Sequence, residues 1–158
     1  LNILSGYTYM KPISLTPTDV YAQTILFDTI ITDITYASSS SDPSVLKYRY
    51  QHIAKLDVEV NYKKVSLGSS FRYNDFMKNI DTIFVSLGNE DGLLPGINEA
   101  RKKFENGDFM IDFRTAYQIN DIVKISLIIN NLLNREYMSR PANMMPPRTF
   151  AIQCNVKI

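Results

Sequence analysis

Alternation of apolar and polar residues with a period of two is the dominant pattern of this chain, and it predicts half-buried β-strands. The clearest run extends from Tyr48 to Tyr62, where the even-numbered positions are mostly apolar and the odd-numbered ones mostly charged or amide. A second run, Val65–Asn74, follows after only two lysines. A two-residue link keeps Tyr62 and Val65 on the same face of the sheet, so we predict a tight hairpin here.

Three further segments show the same alternation. A hairpin is predicted over Phe109–Leu132, with its turn near Asn120 and Asp121. A two-residue turn there would break the alternation across the hairpin, so we expect an odd-numbered loop or a bulge. A last strand is predicted over Thr149–Ile158 and a weaker first strand over Ile3–Met10.

The links between these strands are of two kinds. Short links at residues 63–64 and near residue 120 alternate with long ones at about 11–47, 75–108 and 133–148. Strict alternation places all long links at one end of the sheet, which is the arrangement of outer-membrane barrels. Long structureless links are unusual in a compact domain. The second long link is expected to hold a short helix from Ile97 to Asn106, stopped by Gly107.

Strand length and aromatic placement favour a membrane barrel over a soluble sandwich, which also alternates. The twelve steps from Tyr50 to Tyr62 span roughly 28 Å at a tilt near 45°, close to the ~25 Å apolar band of such barrels. Tyr50 and Tyr62 would then lie in the two aromatic girdles. The apolar face is therefore interpreted as lipid-facing and the polar face as a wet lumen.

The charged residues on the polar face are the candidate functional residues. They could line a transport path, and the interpretation we prefer is a lumen-facing polar network. Lys55 should lie opposite Arg72, and a diagonal pair between Asp57 and Arg72 would relieve that like-charge contact. The candidate set comprises Asp57, Glu59, Arg72, Asp112, Arg114 and Lys124.

Composition excludes several other classes of function. A net charge of +1 gives no electrostatic case for nucleic-acid binding. The single histidine and single cysteine leave no catalytic set or metal-ligand cluster, so neither an enzyme nor a cofactor is predicted. His52 is interpreted as an interfacial residue and Cys154 as a small apolar filler. The run from Asn89 to Gly92 lacks the spaced carboxylates of a calcium loop and is interpreted as a solvated loop tip.

Six strands cannot close into a barrel with an interior, because bacterial barrels start at eight strands. An open sheet edge inside lipid would leave backbone groups unpaired, each costing several kcal/mol. The whole chain, residues 1–158, is therefore predicted to be part of a larger barrel that missing sequence or another chain completes.

Three segments carry a resemblance to a known family. Ile128–Tyr137 resembles the penultimate-strand signature "(I/V)xNLxNxxY" of TonB-dependent receptors. Arg140-Pro141 and then Pro146–Phe150 resemble the family's final loop and last-strand entry, "PxRxF", and Leu46–His52 resembles its "LPYRPxH" segment. The end of the chain is similar to the terminal strand that the barrel assembly machinery recognises, here with Phe150, Ile152, Cys154, Val156 and Ile158 on one face.

The resemblance implies the last six of 22 antiparallel strands in the bacterial outer membrane, with the C-terminus in the periplasm. It implies uptake of a scarce nutrient such as a siderophore, a vitamin or an oligosaccharide. The implied partners are the rest of the barrel, its plug domain, TonB through the absent N-terminal part, and outer-membrane lipid. Tyr21 and Tyr36 in the first long loop are candidate cargo contacts. Alternatives are a passive porin-like or adhesin barrel, a soluble β-sandwich binding module and, least favoured, an outer-membrane enzyme.

Overall fold

The fold is mostly antiparallel β-structure, as the alternation predicted. The computed structural model describes residues 1–26, 29–88, 94–140 and 143–157. In chain order its elements are β1 (Asn2–Tyr9), β2 (Val20–Leu26), β3 (Thr29–Thr35), β4 (His52–Tyr62), β5 (Val65–Asn74), α1 (Thr82–Leu87), α2 (Ile97–Lys103), β6 (Asp108–Gln118), β7 (Val123–Asn130), β8 (Met138–Arg140), β9 (Asn143–Met144) and β10 (Thr149–Val156).

Six of these strands form one antiparallel sheet in the order β1-β4-β5-β6-β7-β10, which we call the wall sheet. These are the six strands that the alternation predicted. Within the described residues β1 and β10 are its two edges, so the sheet is open. The remaining strands form two small sheets, β2-β3 and β8-β9, inside the first and third long links.

The register of the first hairpin agrees with the prediction. Tyr62 pairs with Val65 across the two-lysine turn, and Lys55 lies opposite Arg72. Lys63 takes a positive φ of 51°, the left-handed conformation that a tight hairpin turn demands. The apolar residues of β4 and β5 therefore share one face of the sheet.

The second hairpin has the predicted odd-numbered loop. The backbone N–H of Ile119 donates to the carbonyl of Val123 at 3.0 Å, which leaves three residues in the loop. The side-chain oxygen of Asn120 accepts the N–H groups of Ile122 and Val123 at 2.9 and 2.8 Å. This local turn explains how Gln118 pairs with Lys124 and how the alternation survives the turn.

The prediction for the start of β4 was wrong. The strand begins at His52 rather than Tyr48, because Tyr48 has a positive φ of 58° and turns the chain away. The hydroxyl of Tyr50 donates to the carbonyl of Ser139 at 3.3 Å, so this ring belongs to the loops and not to an outward girdle. Tyr62, at the other end of β4, is 68% exposed.

The long links contain more structure than predicted. The β2-β3 pair was missed because its register shifts at two places, which breaks the period of two. Helix α1 was also missed. Helix α2 begins at the predicted Ile97 but ends at Lys103, three residues early, and Gly107 follows with a φ of +82°. The predicted loop tip from Asn89 to Gly92 lies outside the described residues.

The buried core of the described chain lies at the end of the wall sheet where the long links gather, and not on the apolar face of the strands. The buried hydrophobic residues are Val45, Ile80, Ile97 and Met110. Three of them belong to the long links, and Met110 lies on the polar face beside Arg72. On the apolar face, by contrast, Leu56 is 40% and Ile152 80% exposed. A soluble sandwich would cover that face with a second sheet.

Candidate functional site

The six candidate residues all lie on the polar face of the wall sheet. Their strands are adjacent, and the register places Asp57 level with Asp112 on either side of Ser70. Glu59 is level with Arg114 on either side of Gly68. The structure therefore brings carboxylates and guanidinium groups from β4, β5 and β6 into one patch.

Arg114 is the centre of this patch. Its side chain crosses strand β5 and donates from Nη2 to Asp57 Oδ1 at 2.6 Å and to Glu59 at 3.5 Å. Nη1 donates to the hydroxyl of Ser70 at 2.9 Å, and that hydroxyl in turn donates to Asp57. One guanidinium group thus ties together three strands by charge-assisted hydrogen bonds.

Gly68 makes this crossing possible. A Cβ atom at this position would lie 2.5 Å from Nε and 2.8 Å from Cγ of Arg114. The candidate set omitted Gly68 and Ser70. An isolated glycine inside a strand pattern is a signal for close approach of another group, and it could have identified Gly68.

Arg72 has a different partner from the one predicted. The expected diagonal pair of Asp57 with Arg72 is wrong, because Arg72 donates to Asp112 at 2.7 Å while Asp57 is held by Arg114. Asp112 also accepts the backbone N–H of Asn131 at 2.9 Å. The polar face therefore holds two separate ion pairs. One joins β5 to β6 and the other joins β6 to β4.

Asn131 connects the polar face with the last long loop. It is 3% exposed and has a positive φ of 52°. Its side-chain amide donates to the carbonyl of Arg135 at 2.8 Å, and its side-chain oxygen accepts the N–H of the same residue at 2.9 Å. Asn134, also at positive φ, accepts the N–H of Arg148 at 2.9 Å. The two asparagines of the signature sequence thus shape the return of the chain toward β10.

Lys124 is the one candidate that joins no ion pair within the described residues. It lines a depression of about 220 Å³ on the polar face, together with Glu59 and Arg114. The depression continues to Gln153 and Asn155 on the edge strand β10. The ammonium group of Lys124 is therefore available to pair with a carboxylate outside the described residues.

A second cavity, of about 100 Å³, lies where the polar face meets the long loops. Tyr50 and Tyr137 are among its walls, with Phe76, Phe104 and Asp108. Burial raises the pKa of Tyr50, and the charge of Asp108 raises it further. Burial also raises the pKa of Tyr137. Most of the cavity surface is apolar, and the carboxylates of Asp75 and Asp108 and the guanidinium groups of Arg101 and Arg140 also line it.

The first and second long links are joined by a loop cluster, which comprises Tyr36, Lys47, Tyr48, Asn79 and Asp81. Asn79 is fully buried and donates to the hydroxyl of Tyr36 at 2.9 Å and to the carbonyl of Val45 at 2.6 Å. Lys47 and Tyr48 both donate to the carboxylate of Asp81 at 2.5 Å. Burial alone would raise the pKa of Asp81, but these two bonds outweigh it and hold the pKa below its usual value.

The predicted cargo contacts in the first loop differ in accessibility. Tyr21 is 61% exposed, and its hydroxyl donates to Ser39 at 2.8 Å. Tyr36 is half-buried in the loop cluster, where its hydroxyl donates to the carbonyl of Val45 at 2.9 Å. Tyr36 therefore holds the loops together, whereas Tyr21 is the more accessible of the two.

The single histidine and the single cysteine both lie on the apolar face of the wall sheet. His52 Nδ1 lies 2.7 Å from the hydroxyl of Tyr7, and its ring packs on Tyr9 with centroids 5.0 Å apart. Cys154 is exposed on the apolar side of β10. No group of three or more potential metal ligands occurs among the described residues.

The terminal strand β10 carries its apolar residues on one face. Phe150, Ile152, Cys154 and Val156 pair in turn with Ile129, Leu127, Ile125 and Val123, so they continue the apolar face of β7. Phe150 and Val156 are 65% and 58% exposed. Ile158 lies outside the described residues. No helix in the described part of the chain is long and apolar enough to cross a membrane.

Comparison with known proteins gives a likeness of fold. No family model matches the sequence, and no curated protein matches it. Among solved structures, the chain is similar to the ferric-catecholate import receptor Fiu from Escherichia coli K12 in its closed form. The match covers 98% of this chain at a TM-score of 0.62 and 22% sequence identity. The chain spans only 18% of the length of that receptor. The chain therefore shares its fold with a segment of that protein.

Proposed function

We propose that this chain is the C-terminal part of the barrel of a TonB-dependent outer-membrane receptor, which takes up a scarce nutrient. The observation that carries the proposal is the likeness of almost the entire chain to a segment of a ferric-catecholate import receptor. The signature sequences around Asn131 and Arg148 resemble those of the same family. A fold can host many functions, and the proposal therefore also rests on the apolar face, the open edges and the polar face of the wall sheet.

The uncovered apolar face supports a place in lipid. Its residues alternate with mostly polar ones along strands of eight to eleven residues. Removal of this surface from water requires a nonpolar solvent or a second protein layer. Acyl chains of the outer membrane supply the first, and the rows of Tyr7, Tyr9 and His52 at one end and Tyr62 and Tyr117 at the other would meet the interfaces.

The open edges support completion by further strands. Strands β1 and β10 each leave one row of backbone groups unpaired within the described chain. In lipid such groups must be paired, so the proposed barrel has about 22 strands in the family pattern, and this chain supplies six of them. The short turns would then face the periplasm with the C-terminus, and the long loops would face outward. The terminal strand would present Phe150, Ile152, Cys154, Val156 and Ile158 to the barrel assembly machinery.

The polar face would line the lumen and contact the plug domain. Arg114 and Arg72 are neutralised by carboxylates of this chain, whereas Lys124 is free to meet a plug carboxylate. TonB would pull the plug by using the proton gradient of the inner membrane, and cargo would pass along this wall. For this chain, siderophore, vitamin and oligosaccharide are all compatible cargoes.

Nutrient uptake by the complete protein tests the proposal. The gene that contains this chain is deleted and restored in its own host, with and without a functional TonB, and uptake of radiolabelled ferric catecholate, cobalamin and oligosaccharide is measured. We expect the complete protein in the outer-membrane fraction and TonB-dependent uptake of one of these probes. Uptake that persists without TonB would indicate a passive porin. A protein recovered in the aqueous fraction without detergent would indicate a soluble binding module, and either result rejects the proposal.

A further inference from the structure

Residues 78–82 of the second long link are enclosed by the first long link. Asn79 and Ile80, in the middle of this segment, are both fully buried. The backbone N–H of Ser41 donates to the carbonyl of Ile80 at 2.9 Å. The backbone N–H of Tyr48 donates to the carbonyl of Asn79, also at 2.9 Å. The two links are therefore bonded to each other through their backbones as well as through the side chains of the loop cluster.

The side chain of Asn79 bonds to the first long link at three points. Its nitrogen donates to the hydroxyl of Tyr36 at 2.9 Å and to the carbonyl of Val45 at 2.6 Å. Its oxygen accepts the backbone N–H of Asp42 at 3.1 Å. Buried polar groups that lose their partners are costly, so a movement of one link without the other is unfavourable.

Helix α2 is fastened to the same body. The two terminal nitrogens of Arg101 donate to the carbonyls of Met77 and Lys78, at 3.1 and 3.2 Å. The side-chain nitrogen of Asn98 donates to the carbonyl of Val85 in α1 at 3.1 Å. We call this body the joined loop unit, and its described residues are 36–48, 76–88 and 94–104.

The cavity at the loop end lies between this unit and the last long link. Ala100 and Phe104 line it from the joined loop unit, and Tyr137 and Met138 line it from the last long link. The cavity has a volume of about 100 Å³ and is partly open to solvent. The two bodies are therefore incompletely packed against each other along this boundary.

Few bonds cross this boundary. Within the described residues, one ion pair joins the two bodies, that of Lys103 with Glu136 at 3.5 Å. The two side chains are 62% and 74% exposed, and an exposed pair of this kind contributes little stability. At the foot of β4, the hydroxyl of Tyr50 adds a hydrogen bond of 3.3 Å to the carbonyl of Ser139.

The last long link is tied to β6 of the wall sheet instead. Nη2 of Arg135 lies 2.8 Å from Oδ1 of Asp108, and its guanidinium lies over the ring of Phe109, 4.2 Å from the centroid. The backbone N–H of Asn131 donates to Asp112 at 2.9 Å. The base of this link is therefore fixed to the wall by two carboxylates, independently of the other two links.

We propose that the first and second long links move as one body, and that this body separates from the last long link along the cavity. Local opening follows the boundary with the fewest bonds, and the cavity is that boundary. The movement widens the mouth of the cavity and leaves the bonds around Asn79 intact, as in the rigid-body closure of domains around a hinge. The inference goes beyond the proposed function, because it concerns the loops whatever cargo the protein takes. TonB-independent uptake would contradict the proposed function and leave this inference standing.

Distances between nitroxide labels in the complete protein in bilayers, measured by electron paramagnetic resonance, test this movement. In a Cys154→Ser background, Pro43→Cys with Ile83→Cys labels two positions within the joined loop unit. Lys102→Cys with Met144→Cys labels two positions on either side of the cavity, and all four side chains are exposed. We expect one narrow distance distribution for the first pair and an additional, longer distance for the second. A single narrow distance for both pairs, or a second distance within the joined loop unit, would overturn the proposal.

Hydrogen exchange tests the bonding between the first and second long links. Asn79→Ala removes three hydrogen bonds, so the protection factors of the amides of residues 39–48 and 78–82 should fall by a common factor of about ten or more. Asn143→Ala is the matched control, since it makes the same change at an exposed position of the last long link. It should leave both segments unchanged. A loss of protection confined to one of the two segments would show that the links open separately.

The last long link provides an internal reference in the same experiment. The backbone N–H of Met145 donates to the carbonyl of Tyr137 at 3.0 Å, within this link. Its protection should be the same in the Asn79→Ala variant as in the unmodified protein. A loss as large as that in residues 39–48 would show that all three links open together and would contradict the boundary at the cavity.

Discussion

The two faces of the wall sheet differ in what their side chains touch. On the polar face Arg114 contacts Asp57, Glu59 and Ser70 across a glycine that leaves room for it. On the opposite face Leu56, Val60 and Ile152 remain 40–80% exposed, although they are the apolar members of the same strands. A soluble protein would have built its core on the apolar side. Here the internal bonding is on the polar side, which is the organisation expected of a wall between lipid and a wet lumen.

The largest difference in the free energy of unfolding is expected between an arginine on the apolar face and an arginine on the polar face. Val58→Arg puts a guanidinium on the apolar face and should lower the free energy of unfolding in bilayers by roughly 2–4 kcal/mol. Ser70→Arg puts the same group on the polar face, level with Asp57 and Asp112, and should cost much less. Urea titrations of the complete protein in liposomes measure both. Equal losses would reject the assignment of the two faces.

A glycine-to-alanine substitution should be costly at Gly68, where the side chain of Arg114 crosses β5, and nearly neutral at Gly6. Gly68→Ala places a Cβ against the side chain of Arg114, and overpacking of this kind costs roughly 1–3 kcal/mol. Gly6→Ala is the matched control, since Gly6 also lies in a strand on the polar face and a Cβ there meets nothing within 4 Å. Its stability should stay within about 0.5 kcal/mol.

The steric overlap between a side chain at position 68 and Arg114 can also be removed by shortening Arg114. In an Arg114→Ala background the Gly68→Ala change should lose most of its cost, because the groups that it struck are gone. A double-mutant cycle from urea titrations gives this coupling directly. Additive losses would show that Gly68 is needed for some reason other than the passage of Arg114.

The smallest expected effect is a loss of stability of the loop cluster in acid. The pKa of Asp81 is lowered from its usual 3.8 in the folded protein, so its contribution to stability is fully present above that value and is lost as the pH falls through the folded pKa. In hydrogen exchange, the protection factors of the backbone amides of residues 39–48 and 79–82 should therefore fall below about pH 4. Asp81→Asn should remove the pH dependence in these segments. A dependence that survives this substitution would assign it to another group.

The strands of the wall sheet could be predicted from the sequence because apolar and polar residues alternate along most of their length. Residues Val65–Asn74 were predicted to the residue. The structure of the loops could not be predicted from the sequence, because it depends on contacts between distant segments. Tyr48 looked like a strand residue, but the amide and hydroxyl of this tyrosine bond to the second long link. The β2-β3 pair contains bulges that hide its alternation.

For the candidate site, too, one part could be predicted from the sequence and another could not. Alternation assigned the charged residues to one face, but it could not give their pairing, because Arg114 reaches past its neighbouring strand to Asp57. Only the glycine inside β5 carried a hint of that crossing. The cavity at the loop end has walls from segments far apart in the chain, such as Tyr50 and Phe104, and no local pattern predicts such a meeting.

Nitroxide labels placed one at a time from Ala54 to Tyr62 test the central claim most directly. The labels are attached to single cysteines in a Cys154→Ser background of the complete protein in bilayers, and collisions with oxygen and with a water-soluble nickel complex are measured by electron paramagnetic resonance. If the apolar face lies in lipid, we expect a period of two, with even-numbered positions accessible to oxygen and odd-numbered positions to nickel. Even-numbered labels that are shielded from both reagents would place the apolar face against protein and contradict the account.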